Sequence, residues 1–188
     1  MVSAIQSQDL ISLEDFLKSP ETKPASEYVD GVIYQKPMPQ GEHSIIQTRL
    51  SAAINQVGEP SKSALAFTEL RCTFGGRSIV PDIAVFEWQR IPRLANGRID
   101  NKFEICPDWT IEILSPKQSP NPVIRKILFC IDRGAKLGWF IDSEDESVLL
   151  FQPNRLPEVK YGAEKLPVLS VLGDWELSVA DLFAWLYV

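Results

Sequence analysis

LGWFIDS, Leu137 to Ser143, is apolar almost without a break. A strand written that way suits a sheet covered on both faces, so the chain must supply helices to cover it. WTIEILS, Trp109 to Ser115, is a second such run, interrupted by one carboxylate: Glu112 stands among Ile111, Ile113 and Leu114. An unpaired acid in that setting costs several kcal/mol, enough to force either a raised pKa or a partner cation. Something elsewhere in the fold has to compensate Glu112.

The remaining segments supply the covering layers. Residues 12–18, SLEDFLK, carry a serine cap, acids in the first turn and apolar Leu13, Phe16 and Leu17, a short helix ended by Pro20 and Pro24. Glu27 to Gln35, EYVDGVIYQ, sets Asp30-Gly31 between two β-prone runs, the signal of a tight hairpin. From Gly41 to Val57, Ile45, Ile46, Leu50, Ala53 and Ile54 recur at helical spacing, predicting the first main helix. ALAFTELRCTF, residues 64–74, reads as a strand turned by Gly75-Gly76 into a partner, SIVPDIAVFEW. After WTIEILS, Ser119 offers a cap to a helix with Val123, Ile124, Ile127, Leu128 and Ile131 on one stripe, stopped by Gly134. SVLLFQP follows LGWFIDS through the acidic turn Glu144-Asp145-Glu146; one or two strands are expected between Lys160 and Leu172, and Ser178 caps a closing helix through Leu186. The predicted order is hairpin, helix, three strands, helix, strand, then further strands and a final helix: a mixed α/β sheet between helices.

At 188 residues the chain is expected to form a single domain over 1–188. Hydrophobic residues at 45% and charged ones at 23% are a globular balance, and no apolar run approaches the ~20 residues that span a bilayer. MVSAIQSQDLISLEDFL lacks the basic start and hydrophobic centre of a secretory signal, which predicts a cytoplasmic protein. Cys72, Cys106 and Cys130 are odd in number and scattered, against a disulfide framework or a zinc site and in favour of reduced packing residues. With His43 the only histidine, a site built from several imidazoles is excluded and any metal must be held mainly by oxygen ligands, which favours Mg²⁺ or Mn²⁺. A net charge of −6 argues against broad phosphate-driven binding of nucleic acid. Local basic groupings exist nonetheless: Arg90, Arg93, Arg98 and Lys102 in the long connection 89–108, and Lys117, Arg125, Lys126, Arg133 and Lys136 after the next strand.

In IVPDIAVF, alternation sets Asp82 on one face with Ala84 and Phe86, and Ile83 and Val85 on the other. One reading makes Pro81-Asp82 a bend at the start of the strand, and makes Glu112 a buried acid paired with one Arg or Lys. The other joins them: two carboxylates on adjacent strands, facing one way, form half a cage of hard oxygens for Mg²⁺, which keeps several waters and needs only one or two protein acids.

PDIAVF, then EILSP about thirty positions later, a helix bearing Lys126 and the strand LGWFID together resemble the Uma2 (DUF820) family, abundant in cyanobacteria and assigned to the PD-(D/E)XK nuclease-like fold. EYVDGVIY and the helix opening with His43 fit the same pattern, so the resemblance spans roughly residues 10 to 187. It implies a restriction-endonuclease-like core, αβββαβ, with an N-terminal hairpin and extra C-terminal strands. It further implies that Asp82 and Glu112 hold the divalent ion. The superfamily's lysine falls two residues beyond the glutamate, where this chain has Leu114; Lys126, on a long flexible stem, is preferred to Lys117 as its replacement. His43 is a candidate base or supporting donor, and Glu27 ranks ahead of Glu42 as the further acid.

The implied activity is a Mg²⁺-dependent endonuclease acting on DNA, with a homodimer expected because cutting a duplex wants two sites. A second reading stands beside it: a binding or interaction protein on a nuclease scaffold. Leu114 and the acidic charge favour it, as do Trp175, Phe183, Trp185 and Tyr187, which would make a docking surface unless they pack into the core.

Overall fold

The computed structural model describes residues 10–187; the first nine residues of the segment tested for a signal lie outside it. Its elements run α1 Leu13–Lys18, β1 Ser26–Val29, β2 Val32–Gln35, α2 Gly41–Ser61, β3 Ala64–Thr68, β4 Cys72–Phe74, β5 Arg77–Ile79, β6 Ile83–Glu87, β7 Trp109–Ile113, α3 Pro120–Asp132, β8 Leu137–Asp142, β9 Ser147–Phe151, β10 Glu158–Tyr161 and α4 Val179–Ala184.

Six strands form the main sheet in the order β10-β9-β8-β7-β6-β3. Only β7 and β8 run parallel, and α3 is the crossover between them. The expected αβββαβ core is thus α2, β3, β6, β7, α3 and β8. A second sheet, β2-β1-β5-β4, holds the N-terminal hairpin. Asp30 and Gly31 both take positive φ at its tip, as the hairpin signal requires.

Both faces of the main sheet are covered. On one, Ile46, Leu50 and Ile54 of α2 and Leu182 and Phe183 of α4 pack on Ile83, Val85, Ile111, Ile113, Trp139 and Ile141. On the other, α3 lays Val123 and Ile127 against Phe140 and Phe151, and Phe129 and Cys130 beside Ala84 and Phe86. Trp109 and Trp139 meet edge to face with centroids 4.6 Å apart, a pairing that adds about 1 kcal/mol to their burial. Gly138 lets α3 come close: a Cβ there would lie 2.3 Å from Ile127 Cγ2. This approach sets the depth at which the neighbouring Lys126 enters the sheet.

Several expectations need correction. ALAFTELRCTF is two strands in different sheets, because the chain turns at Glu69, where φ is +50°. SIVPDIAVFEW likewise divides at Val80–Asp82, so Pro81-Asp82 does form the bend before β6. Leu128, placed on the apolar stripe of α3, is 41% exposed; Phe129 and Cys130 are buried in its stead. Ser119 occupies the N-cap of α3 without a side-chain bond; Pro120 in the first turn, lacking an N–H, leaves fewer donors to cap. α2 continues past Val57 to Ser61, only β10 forms in the late strand region, and α4 stops at Ala184. The C-terminal aromatics are largely core: Phe183 is buried, Trp175 and Trp185 pack against it, and Tyr187 alone stands 75% exposed. All three cysteines are free and buried in one cluster. Among the described residues no helix is long and apolar enough to cross a membrane.

Candidate active site

The register of β6 against β7, Ile83 with Ile111 and Ala84 with Thr110, carries one step further to set Asp82 opposite Glu112 on the α3 face. Asp82 lies one residue before the ladder begins, and its side chain extends the pairing: Oδ2 accepts the Ile113 N–H at 2.7 Å. Both acids are buried, at 3% and 2% exposure.

Lys126 answers the question Glu112 raised. Its Nζ lies 2.8 Å from Glu112 Oε2 and 2.9 Å from Glu27 Oε1. Glu27, on β1, is held in turn by the Val80 N–H at 2.8 Å. His43, near the start of α2, is buried with Nε2 3.2 Å from Asp82 Oδ2. All five residues singled out in the sequence, Asp82, Glu112, Lys126, His43 and Glu27, therefore meet at one point. Glu42 and Lys117 remain exposed elsewhere, while Leu114 is half-buried against the apolar cluster under α3.

Three further residues, not foreseen from the sequence, complete the centre. Lys36, just beyond β2, places Nζ 2.7 Å from Asp82 Oδ1 and 3.0 Å from both oxygens of Glu69. Gln47 of α2 donates through Nε2 to Glu69 Oε1 at 3.1 Å and to the Asp82 carbonyl at 2.8 Å. One signal pointed to Lys36. In the hairpin Tyr34 pairs with Glu27, so the next residue of the same parity after β2 falls on the site-facing side.

The electrostatics follow from burial. Burial raises the Asp82 carboxyl, but the Lys36 ammonium and the His43 bond outweigh it and hold Asp82 well below the usual carboxylate range. Glu112 goes the other way: burial, opposed by Lys126 and reinforced by Asp82, pushes it up to about 8. Lys126 is raised, because Glu112 and Glu27 overcome the burial that would lower it. Lys36 is raised in the same manner, burial being outweighed by Asp82 and its neighbouring acids. With every group ionised, four carboxylates face two ammonium groups, an excess of two negative charges. Buried side-chain polar atoms without a hydrogen-bond partner number four among the described residues, and two, Glu112 Oε1 and His43 Nδ1, belong here.

The basic groupings are partly consumed by structure. Arg90 pairs with Asp108, Lys136 with Glu87, and Arg93 and Arg133 lie over Trp88 and Phe129. Arg98, Lys102, Lys117 and Arg125 are exposed and make no ion pair among the described residues.

The Uma2 family, described as "Putative restriction endonuclease", matches residues 13–180. The chain belongs to the Uma2 family. A crystal structure described as "a putative nuclease belonging to DUF820 from Anabaena variabilis ATCC 29413" is 52% identical, with a TM-score of 0.92 over 94% of this chain and 99% of that one. Among curated proteins no match is found. Uma2 membership and the restriction-endonuclease-like core thus agree with the architecture built above. In this Uma2 chain the strand-borne lysine position carries Leu114, and an ammonium from α3 stands at the same glutamate.

Proposed function

We propose that this chain is a divalent-metal-dependent nuclease that hydrolyses DNA phosphodiester bonds. The observation that carries the reading is the face shared by Asp82 and Glu112, with the Lys126 ammonium on Glu112 and the second Glu112 oxygen unpartnered. That donor set fits Mg²⁺ or Mn²⁺. It offers two hard carboxylates, an oxygen with no other partner and, once Glu112 is ionised, a net excess of two negative charges that one such ion neutralises. Mg²⁺ keeps several waters and needs only one or two protein acids, so two carboxylates suffice; among the described residues no set of three or more His, Cys, Asp or Glu side chains is arranged to hold an ion.

Asp82 and Glu112 would hold the ion, which when bound supplies a more acidic water and neutralises charge on the phosphate. The residues of the chain do the rest. The Ile113 N–H and His43 fix the Asp82 carboxylate, so its lone pairs point one way before any ligand arrives. Lys126 adds a positive charge where negative charge develops at phosphorus, and Glu27 holds that ammonium on the α3 side of the sheet. His43 turns Nε2 to Asp82 and leaves Nδ1 buried and unpartnered, the ring atom open to a role in proton transfer.

The experiment is nicking of supercoiled plasmid by purified protein. Cleavage with Mg²⁺ or Mn²⁺ that disappears in EDTA and in Asp82→Asn supports the reading; metal-dependent cleavage surviving Asp82→Asn refutes it. The non-catalytic alternative draws on the lysine already beside each acid, which makes a closed ion-pair network. Calorimetric titration separates the two, since such a network takes up no Mn²⁺. Duplex cleavage by this reading uses two copies, and light scattering is expected to give the mass of a homodimer.

A further inference from the structure

Lys36 has no part in the chemistry above, yet its surroundings are those of a bound cation. Four oxygens surround Nζ: Asp82 Oδ1 at 2.7 Å, both Glu69 oxygens at 3.0 Å and the Val80 carbonyl at 2.9 Å. A carboxylate in both oxygens, another in one, and a backbone carbonyl are the hard donors that hold small cations. Gln47 braces the set by donating to Glu69 Oε1 and to the Asp82 carbonyl, and the Glu69 N–H donates to that same carbonyl at 3.2 Å. The Lys36 side chain is 11% exposed and that of Asp82 4%, so the ammonium is screened little by water.

We infer that the Lys36 ammonium occupies the place of a second cation beside Asp82 and so limits the centre to one divalent ion. The inference rests on the proposed metal role of Asp82 and Glu112. Two-metal phosphodiesterases set their ions about 3.5–4 Å apart on shared acids; here the far side of Asp82 already carries a covalently tethered charge. An ammonium offers no exchangeable water and no vacant coordination, so Lys36 is a positioning residue. It neutralises the Asp82–Glu69 pair and leaves hydrolysis to a single ion on the Glu112 side. Replacing it with a neutral side chain exposes three carboxylate oxygens and a carbonyl to whatever cation is present.

The test is the number of Mn²⁺ ions bound per chain, counted by calorimetry and by loss of the free-ion electron paramagnetic resonance signal. Wild type is expected to bind one ion, Lys36→Met two, Lys36→Arg one, and Lys36→Met with Glu69→Gln one. Mn²⁺ is also expected to raise the melting temperature of Lys36→Met by more than that of wild type. If Lys36→Met fails to fold, as judged by circular dichroism, Lys36→Gln carries the same expectation. A Lys36→Met protein that still binds one ion, or a wild type that binds two, overturns the inference. A wild type that binds none while Lys36→Met binds one overturns the proposed Asp82–Glu112 centre and leaves the inference about Lys36 standing.

Discussion

Replacing Lys126 by methionine keeps the aliphatic stem and removes the charge between Glu112 and Glu27. The side chains of Lys126, Glu112 and Glu27 are 10%, 3% and 12% exposed, so the loss is that of a buried ion pair, about 3–5 kcal/mol once both acids are ionised. The cost depends on pH in a definite direction. Glu112 sits at about 8 against an ordinary 4.5, so the native protein keeps a proton that the unfolded chain has released. Wild-type stability therefore falls as pH rises through that window and levels off above 8. Without Lys126 the Glu112 value rises further, and the variant keeps losing stability above pH 8 by about 1.4 kcal/mol per pH unit until it ionises. Guanidinium unfolding of both proteins at pH 7 and pH 9 measures the difference. The gap between them should widen by at least about 1 kcal/mol at pH 9, with a melting temperature lower by about 6–20 °C for a chain of this size once the full cost is reached. An equal gap at both pH values, or a total below about 1 kcal/mol, would refute the ion-pair reasoning.

Two other substitutions check the frame that carries the site. Gly138→Ala sets a Cβ 2.3 Å from Ile127 Cγ2; it should cost about 1–3 kcal/mol in chemical denaturation and, by lifting α3, weaken Mn²⁺ binding at the same time. Ser178→Ala removes the capping box that Ser178 and Asp181 form at the start of α4; calorimetry should show about 1 kcal/mol lost with Mn²⁺ affinity unchanged.

Much of this centre was legible because period and burial acted together. Strand alternation gave Asp82 a face and the apolar run around Glu112 marked it as buried, but that the two acids share one face stood as one of two readings until the β6–β7 register showed it. Lys126 was legible through the resemblance to the Uma2 family, which puts a lysine in this helix, and its long stem made the reach to the third strand feasible. Lys36, Glu69 and Gln47 were hidden for a physical reason. Lys36 meets Asp82 and Glu69 across 46 and 33 residues of sequence, and hairpin parity gives only its side, not which distant acids it meets. Glu69 was further obscured because ALAFTELRCTF reads as continuous β-structure, and only a left-handed residue at 69 turns its carboxylate to the site. The short β4–β5 hairpin, which moves to the second sheet, has the same cause: sequence patterns specify strands, while the choice of sheet is made by distant packing.

The central claim is that Asp82 and Glu112 hold one hard cation between them. Anomalous diffraction from a crystal soaked in Mn²⁺ tests it most directly. The account predicts a single peak about 2.1 Å from an oxygen of each of these acids, with Lys36 still seated between Asp82 and Glu69. No peak, or one that touches neither acid, would contradict it.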